Sequence, residues 1–559
     1  MFIKDIYELA NLLNMEPRNI TYILYKLKSQ NCYSCFEIPK KNGDKRKIYS
    51  PNKILSNIQR KVLTILETRQ EVIFSENNIV NKISHGFQKR KNIITNAVPH
   101  KNKRYIINVD LKDFFESFHF GRVRGYFMTN KHFEMSKDVS KIIAILCCYN
   151  GTLPQGAPTS PFITNLIFQS VDNKILKLCR KYKLDYTRYA DDLTFSTNDK
   201  NFINNKNVFL LELKNLIERA GFKINNAKTR IQDKYHKQKV TGLTVNKIVN
   251  IDKNFAKQTK AMALSLYKNN TFEINGNKAS VKQLEGRFAF INLIDKYNNS
   301  NNTKKRNFAC LNTREKQYQL FLFYKNFICN SKPIIITEGK TDGLYIKAAL
   351  MANYEKYPLL ITKNKNGTFS LNFTFLRKTP VLEYFFNMNK DGATCLTQCY
   401  NYYTKNDSIH LCYKKLKKYG VTSTNPCILL YDNETATKDK PLNFLIHNLD
   451  KKYSETITNL IKTTYFSKIP GTTNLYVATI PLINDKVECE IEDLLPNDVL
   501  AIKIDDKSFS RKGGEQFFGK EILSKYVYDN YKKIDFSNFI KLLDTIQNII
   551  KEFKSSPLE

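Results

Sequence analysis

The sequence predicts a multidomain protein that combines α/β and α+β architecture. The first observation is its length of 559 residues, which exceeds what a single hydrophobic core usually fills. The second is a pair of blocks, residues 103–251 and 332–559, in which apolar β-branched segments alternate with helical ones. The third is that several of these apolar segments end in acidic residues, which is typical of a site at a sheet edge.

The remaining segments are predicted in chain order. Residues 1–30 have a helical period, and the stretch FEIPKKNGDKRKIYSP reads as two short strands joined by a basic Asn-Gly turn. A long helix with Lys and Arg on one side follows from residue 52. Between the two α/β blocks lies a helical, Lys- and Asn-rich stretch, and its polar run Asp295–Asn307 is the predicted linker.

Charge indicates the class of partner. The chain carries 89 Lys and Arg against 52 Asp and Glu, a formal net charge of +37, which favours a nucleic acid. An AT-rich coding bias explains the preference for Lys over Arg but not the shortage of acids. The first residues predict a helix and not a signal peptide, and no window is apolar enough to span a membrane, so we expect a cytoplasmic protein without a membrane partner. The 12 scattered Cys are interpreted as reduced thiols and not as a zinc site.

Two stretches of the first block place carboxylates at the ends of apolar strands. YIINVDLKDFF carries Asp110, and YTRYADDLTFS carries Asp191 and Asp192 in a predicted β-hairpin. Like charges held together raise each other's pKa unless a cation neutralises them, and oxygen ligands near basic residues suit Mg²⁺. Two such ions can support nucleotidyl transfer. The alternative is that the adjacent acids only cap a turn.

These motifs resemble those of reverse transcriptases. YADD resembles their signature hairpin, NVDLKDFF resembles the strand with their first metal-binding Asp, and LPQGAPTSPFITNLIF is similar to their template- and nucleotide-contacting segment. The resemblance implies a right-hand polymerase fold with fingers, palm and thumb, and two Mg²⁺ ions. The metal ligands it implies are Asp110, Asp191, Asp192 and the Leu111 carbonyl.

The same resemblance implies a deoxynucleotide pocket. Phe115 matches the bulky gate that would clash with a 2′-hydroxyl, and the basic turn matches the triphosphate contacts of the fingers. The nucleotide-binding residues carried over are Lys40, Arg46, Lys47, Phe115, Gln155, Gly156 and Lys228. For the basic run alone, a solvated surface turn is the alternative.

Further motifs resemble the retron reverse transcriptases of bacteria. NAVPH is similar to their Asn-Ala-x-x-His segment, and VTGLTVN is similar to their Val-Thr-Gly segment. The resemblance implies a cognate noncoding RNA as template and 2′-hydroxyl primer, deoxynucleoside triphosphates as substrates, and an RNA-linked multicopy single-stranded DNA as a bound product. The RNA-binding residues it implies are Asn96, His100, Val240, Thr241 and Gly242. For His100, a buried structural role is equally compatible with the sequence.

The second α/β block repeats the pattern of strands that end in acids. IIITEGKTDGLYIKAAL carries Glu338, and CILLYDNETATKD carries Asp432 and Glu434. These stretches resemble the TOPRIM domain of topoisomerases, primases and overcoming-lysogenization-type nucleases, except that Glu434 stands where that family has Asp. The resemblance implies a Rossmann-like fold and a catalytic Mg²⁺ or Mn²⁺ held by the three acids. Lys340 and Asp342 are expected to orient this site, and EIEDLL offers Glu492 or Asp493 as a further acid.

The two resemblances together suggest the domain organisation. Residues 1–250 are expected to form fingers and palm, with a helical extension over residues 1–30; residues 251–325 are expected to form a helical thumb and linker, and residues 326–559 a TOPRIM effector. The implied activity is a polymerase plus a nuclease acting on nucleic acid in antiphage defence, with a homo-oligomer possible. Two alternatives for the second half are a topoisomerase-like cleavage and religation module and a non-catalytic nucleic-acid scaffold.

Overall fold

The computed structural model describes residues 3–39, 43–300, 307–388, 394–435, 440–511 and 513–555. The chain divides into two compact units, Met1–Lys253 and Asn254–Glu559. Lys40 of the predicted nucleotide site and residues 301–306 of the predicted linker lie outside the described residues. Within the described ranges, no helix is long and apolar enough to cross a membrane.

The first unit contains eight helices and eight strands within its described residues. The helices are α1 (Ile6–Leu12), α2 (Pro17–Thr21), α3 (Lys53–Glu76), α4 (Ile93–Ala97), α5 (Phe120–Thr129), α6 (Lys137–Cys147), α7 (Ser160–Lys181) and α8 (Phe202–Arg219). The strands are β1 (Tyr33–Pro39), β2 (Lys45–Pro51), β3 (Tyr105–Lys112), β4 (Asp185–Tyr189), β5 (Asp192–Thr197), β6 (Lys223–Asp233), β7 (Lys239–Val240) and β8 (Leu243–Thr244).

A four-stranded antiparallel sheet forms the centre of the first unit. Its strand order is β4-β5-β3-β6, so the two stretches with terminal aspartates are neighbours. Strands β3 and β5 contribute Ile107, Val109, Leu193 and Phe195 to a core shared with α5, α7 and α8. Because alternate strand residues face opposite sides of a sheet, one face is covered by helices while the strand ends remain available for a site.

The second unit is built around a five-stranded sheet. Its helices are α9 (Lys253–Asn269), α10 (Val281–Ser300), α11 (Thr313–Phe323), α12 (Asp342–Ala352), α13 (Pro380–Phe386), α14 (Thr394–Thr404), α15 (Cys412–Lys418), α16 (Pro441–His447), α17 (Ser454–Thr464), α18 (Asn497–Leu500), α19 (Lys520–Asp529) and α20 (Ile540–Ser555). Its strands are β9 (Glu273–Ile274), β10 (Asn277–Lys278), β11 (Ile334–Thr337), β12 (Ile361–Lys363), β13 (Phe369–Leu371), β14 (Thr374–Phe375), β15 (Cys427–Tyr431), β16 (Phe466–Lys468), β17 (Leu475–Thr479), β18 (Lys503–Ile504), β19 (Lys507–Phe509) and β20 (Phe517–Phe518).

The large sheet of the second unit has helices on both faces. Its order is β14-β11-β15-β17-β16, with the first four strands parallel and β16 antiparallel. Along β11, Ile334 and Ile336 join the core on one face, whereas Ile335 joins the core on the other. Burial on both faces explains why these strands are continuously apolar. It also confirms the predicted parallel α/β block with acids after its strands.

Two expectations about the middle of the chain need correction. The predicted linker begins inside a helix, because Asp295–Ser300 end α10 and Asp295 is buried. The helices expected to form a thumb, α9 and α10, share a core with α11 and the C-terminal α/β part through Leu266, Leu284 and Phe288. These helices therefore pack as part of the second compact unit.

Candidate active sites

The first candidate site lies at the tip of the β4–β5 hairpin. Tyr189 and Asp192 are paired residues, so Ala190 and Asp191 form a two-residue turn, and Ala190 has a left-handed φ of 56°. Such a φ matches the tight turns that connect antiparallel strands. The predicted hairpin is confirmed, and its turn projects Asp191 and Asp192 from the sheet edge.

The neighbouring strand β3 adds the third carboxylate. Asp110 pairs directly with Asp192 in the antiparallel register of β3 and β5. The backbone N–H of Leu111 donates to the carbonyl of Asp191 at 3.0 Å, which fixes the Leu111 peptide beside the hairpin tip. Three acids from distant parts of the sequence thus converge at one end of the sheet; a ligand role for the Leu111 carbonyl stays a prediction.

The electrostatics of this cluster favour a bound cation. Burial and then the charge of Asp110 raise the pKa of Asp191, which Lys228 and Arg46 partly offset. Loss of hydration, followed by Asp191 and Asp110, raises the pKa of Asp192 to about 7, although one side of Asp192 is open to solvent. A divalent ion would relieve this repulsion.

Two polar side chains hold the Asp110 carboxylate in place. Lys228 Nζ lies 3.0 Å from Asp110 Oδ2, and Asn225 Nδ2 donates to the same oxygen at 3.1 Å. Both come from β6, the other neighbour of β3. Lys228, predicted to lie near the nucleotide, is therefore a direct partner of a proposed metal ligand.

Other predicted nucleotide contacts surround the same end of the unit. Arg46 and Lys47 are exposed on β2, and the charge of Arg46 reaches Asp191. The loop at Gln155 and Gly156 is bound to β2, because Tyr49 N–H donates to the Gln155 carbonyl at 2.8 Å. Gly156 has φ 125°, and a Cβ there would lie 2.5 Å from the Tyr49 carbonyl oxygen.

Phe115 follows β3, the strand that carries Asp110. Its half-buried ring meets that of Phe114 edge-on at a centroid distance of 5.7 Å, and Phe114 belongs to the core. Phe114 therefore restricts movement of the Phe115 ring. A side chain that excludes ribonucleotides by its bulk needs to be held in this way.

A buried ion pair connects the hairpin to α7, and the sequence did not predict it. Arg188 on β4 and Asp172 on α7 are both buried, with Arg188 Nη2 2.7 Å and Nε 2.9 Å from the carboxylate. Arg188 Nη1 also donates to the Ala190 carbonyl at 3.1 Å, and Tyr186 OH donates to Asp172 at 2.8 Å. This network joins the turn residue to the helix beneath the sheet.

Gly86 packs closely against the same turn. A Cβ at this position would lie 2.6 Å from the backbone nitrogen of Ala190, closer than atoms can pack. The Gly86 carbonyl accepts from Asn165 Nδ2 at 2.8 Å, and Asn165 in turn accepts from Arg188. The only signal in the sequence is the glycine itself within ISHGFQ, which does not indicate which backbone approaches it.

The expected RNA contact by Asn96 and His100 is not available in this arrangement. Both residues are fully buried. His100 contacts both strands of the hairpin. Its Nδ1 lies 2.7 Å from Ser196 Oγ on β5, and its Nε2 lies 2.8 Å from Thr187 Oγ1 on β4. Burial and nearby cationic groups lower the pKa of His100 to about 3, so it is neutral. The structural role that the sequence left open is the one observed.

The Val-Thr-Gly segment packs against the same region. Val240 is buried, and Thr241 and Gly242, with φ 44° and 83°, form the turn between β7 and β8. The Thr241 hydroxyl donates to the Ile93 carbonyl at 3.3 Å. The two motifs that resemble retron sequences are therefore neighbours, and only the turn at Gly242 is exposed among these five residues.

The second candidate site lies at the carboxyl ends of two parallel strands. Glu338 follows β11, and Asp432 and Glu434 follow its neighbour β15. One carboxylate oxygen from each of the three lies within 4.8 Å of the others, and no other trio of acids, His or Cys is this close among the residues that the structure describes. Glu338 Oε2 is buried without a hydrogen-bond partner.

Repulsion within this trio is strong. Burial, then Glu434 and Asp342, raises the pKa of Glu338 to about 7. Burial, then Asp342 and Glu338, raises the pKa of Asp432 well above its usual value. Lys440 pairs with Glu434 and supplies one compensating charge. An unpartnered oxygen among crowded carboxylates fits a divalent cation. That these three acids hold a metal ion stays a prediction.

Of the further residues predicted for this site, Asp342 contacts the loop after Glu338, whereas the others form ion pairs elsewhere. Asp342 accepts the Gly339 N–H at 2.8 Å and so fixes the loop after Glu338, which agrees with the predicted orienting role. Lys340 instead points to an exposed ion pair with Glu521. Glu492 is buried against Lys520 Nζ at 3.0 Å, and Asp493 binds Lys486 and Arg511. Neither belongs to the close trio.

The stretch that contains Asp110, Asp191 and Asp192 is similar to a known protein family. Residues 38–245 match the family model described as reverse transcriptase (RNA-dependent DNA polymerase).

The more particular similarity is to retron enzymes. The chain is 30% identical over 281 residues to the Retron Mx65 reverse transcriptase of Myxococcus xanthus, covering 47% of this chain and 61% of that protein. It is 28% identical over 322 residues to the Retron Ec86 reverse transcriptase of Escherichia coli, covering 56% of this chain and 90% of that protein. Both matches are similarities to retron reverse transcriptases. The chain thus spans about three fifths of Mx65 and nine tenths of Ec86.

A solved structure, apo telomerase from Candida Tropicalis, aligns with 52% of this chain and 60% of its own at 14% identity and a TM-score of 0.29. That score is too low to add to the description of the fold.

Proposed function

We propose that the first unit is a retron-type RNA-directed DNA polymerase. It would use a cognate noncoding RNA as template and 2′-hydroxyl primer and produce RNA-linked single-stranded DNA from deoxynucleoside triphosphates. The observation that carries the proposal is the register that sets Asp110 beside Asp192, with Asp191 at the adjoining turn. The match of this unit to reverse transcriptases, and to retron enzymes in particular, supports it.

The chain's own residues have distinct roles in this reaction. Asp110, Asp191 and Asp192 would hold Mg²⁺, which stabilises the attacking and leaving oxygens when it is bound. Asp192 must first lose the proton that its pKa of about 7 retains in mildly acidic solution. Arg46 and Lys47 extend from β2 to offset triphosphate charge, and Lys228 orients the Asp110 carboxylate.

Phe115 provides a test of the proposed deoxynucleotide pocket. Phe115→Ala is expected to raise ribonucleotide use relative to deoxynucleotide use by more than about tenfold, because the clash with the 2′-hydroxyl is removed. The measurement is single-nucleotide incorporation on an RNA template, expressed as the ratio of kcat/KM for dNTP and rNTP. Phe115→Tyr keeps the bulk and serves as the matched control. An unchanged ratio in Phe115→Ala would show that another residue excludes ribonucleotides.

For the second unit we propose a TOPRIM-type, metal-dependent nuclease. The observation behind it is the close trio of Glu338, Asp432 and Glu434, of which Glu434 is buried and the other two are partly buried, at the carboxyl ends of parallel strands. These residues would hold Mg²⁺ or Mn²⁺, which can activate water and polarise a phosphodiester when it is bound. Asp342 keeps the loop of Glu338 in place. By the resemblance to retron systems, the bound RNA–DNA product would restrain this unit in antiphage defence.

Glu338→Gln tests the nuclease proposal. Protein freed of nucleic acid is expected to cut single-stranded DNA or RNA when Mg²⁺ or Mn²⁺ is added, and Glu338→Gln is expected to cut at least about 100-fold more slowly because one anionic ligand is lost. The matched control is Glu455→Gln, an exposed glutamate outside the trio. A covalent tyrosyl adduct would instead favour topoisomerase-like chemistry. Absence of cleavage in wild type would favour the scaffold.

A further inference from the structure

The second unit has a large cavity at the opposite end of α12 from the acidic trio. Its volume is about 760 Å³, within the usual range for small-ligand sites. Helix α12 begins at Asp342, beside the trio, and ends at Ala352, which lines the cavity. Eleven helical residues separate the two places by roughly 16 Å. The cavity is therefore distinct from the proposed nuclease centre.

One wall of the cavity is aromatic. Tyr354, Phe369 and Tyr531 form a continuous series, with centroid distances of 5.4 Å for the first pair and 6.4 Å for the second. All three rings line the cavity and are only partly buried, so part of each ring is accessible to a ligand. Aromatic rings that stay accessible beside a cavity are typical stacking surfaces for nucleobases.

The same cavity carries excess positive charge. Lys356, Lys363 and Lys532 line it, are exposed, and have no carboxylate partner among the described residues. Lys363 Nζ lies over the Tyr354 ring, 4.8 Å from its centroid, so a cation covers one face of this ring and stands next to the Phe369 ring that contacts it. The one carboxylate in the lining, Asp535, accepts hydrogen bonds from the backbone N–H and hydroxyl of Ser537, both at 2.9 Å.

The fold supports this juxtaposition through a short hairpin. Lys363 and Phe369 are paired residues of β12 and β13, so the cation and the central aromatic ring come from the same position of the hairpin. The Asn364 amide donates to Thr368 Oγ1 and Ser370 Oγ, both at 2.9 Å, which stabilises the intervening loop. Ring and charge are therefore held together by local structure.

From this combination we propose that the cavity binds a nucleoside phosphate, with the base against the aromatic wall and the phosphate at the lysines. The source of this ligand is either a free nucleotide or the terminal nucleotide of a single strand, since both present the same base and phosphate. The site is additional to the polymerase and nuclease centres and does not depend on either activity.

Photocrosslinking with the full-length protein tests the proposal. One probe is 5-bromo-dUTP and the other is a short single strand ending in 5-bromodeoxyuridine; adducts are located by mass spectrometry. We expect adducts on Tyr354, Phe369 or Tyr531. Adducts with the mononucleotide alone identify a free nucleotide as the ligand, and adducts with the strand alone identify a strand end.

Two charge-reversal variants provide the contrast. Lys356→Glu with Lys532→Glu is expected to lower the cavity adducts at least tenfold while any adduct at the palm persists. Lys365→Glu with Lys533→Glu has the same charge change at exposed positions that do not line the cavity, and its adducts should match wild type. No cavity adduct with either probe, or an equal loss in both variants, would overturn the proposal. Loss of DNA synthesis or cleavage without loss of these adducts would concern the proposed function alone.

Discussion

Replacing Asp191 and Asp192 together by asparagine is expected to lower templated DNA synthesis at least about 1,000-fold, while RNA binding persists. The two carboxylates project from the hairpin turn beside Asp110, and removing their charges removes most of the attraction for Mg²⁺. Metal stabilisation of the transition state is worth several kcal/mol, and each 1.36 kcal/mol is about tenfold in rate. The measurements are radiolabelled dNTP incorporation on the cognate RNA and an RNA mobility shift.

The control for this experiment must match the change in charge. Glu134→Gln with Asp138→Asn also removes two negative charges from the first unit, at exposed positions outside the sheet. This variant should synthesise DNA at nearly the wild-type rate. Normal product yield from the Asp191 and Asp192 variant would refute the assignment of the palm carboxylates, and loss of synthesis in the control would point to a general charge effect.

Asp172→Asn is expected to destabilise the first unit by about 3–5 kcal/mol. The substitution leaves the fully buried guanidinium of Arg188 without its counter-ion, and an uncompensated buried charge costs about that much. For a unit of this size the unfolding midpoint should fall by roughly 10 °C. The measurement is thermal unfolding of the full-length protein, followed with a probe in the first unit.

An exposed ion pair of similar length serves as the comparison. Lys181 Nζ lies 2.7 Å from Glu212, and Glu212→Gln should leave the unfolding midpoint close to that of wild type because solvent screens this pair. Combining Asp172→Asn with Arg188→Gln should recover part of the stability, since no unpaired charge remains. If Asp172→Asn unfolds like wild type, the buried pair does not anchor the hairpin.

The sequence predicted the parts of each site that depend on local pattern. Apolar strands with Asp110, Asp191, Glu338 or Asp432 at or near one end could be recognised because two-residue alternation and continuous apolar runs specify strands. In the second sheet the acids meet because the parallel strands β11 and β15 end at the same edge, and in the first sheet because the end of β3 lies beside the start of the antiparallel β5. The same patterns predicted the two basic strands β1 and β2 and the parallel sheet of the second unit.

What the sequence could not predict depends on distant neighbours. Nothing near Asp172 indicates that Arg188, on another element, will be its partner, and the need for Gly86 arises from the approach of the Ala190 backbone. For Asn96 and His100 the resemblance to retron enzymes implied RNA binding, and a buried structural role was left open for His100. The hairpin strands cover one face of α4 and of the turn that follows it, and this contact buries the two residues. The same limit applies to Asp295, whose polar sequence indicated a linker although the residue is buried in a helix.

The contact between Thr241 and Ile93 has a practical consequence for chimeric enzymes. Residues 93–100 pack on the hairpin that carries Asp191 and Asp192, and residues 239–245 pack on residues 93–100. A graft of either segment alone from a relative would face a mismatched neighbour next to this hairpin. Recombination libraries should therefore exchange the two segments as one cassette, with crossover points placed in the exposed loops outside them.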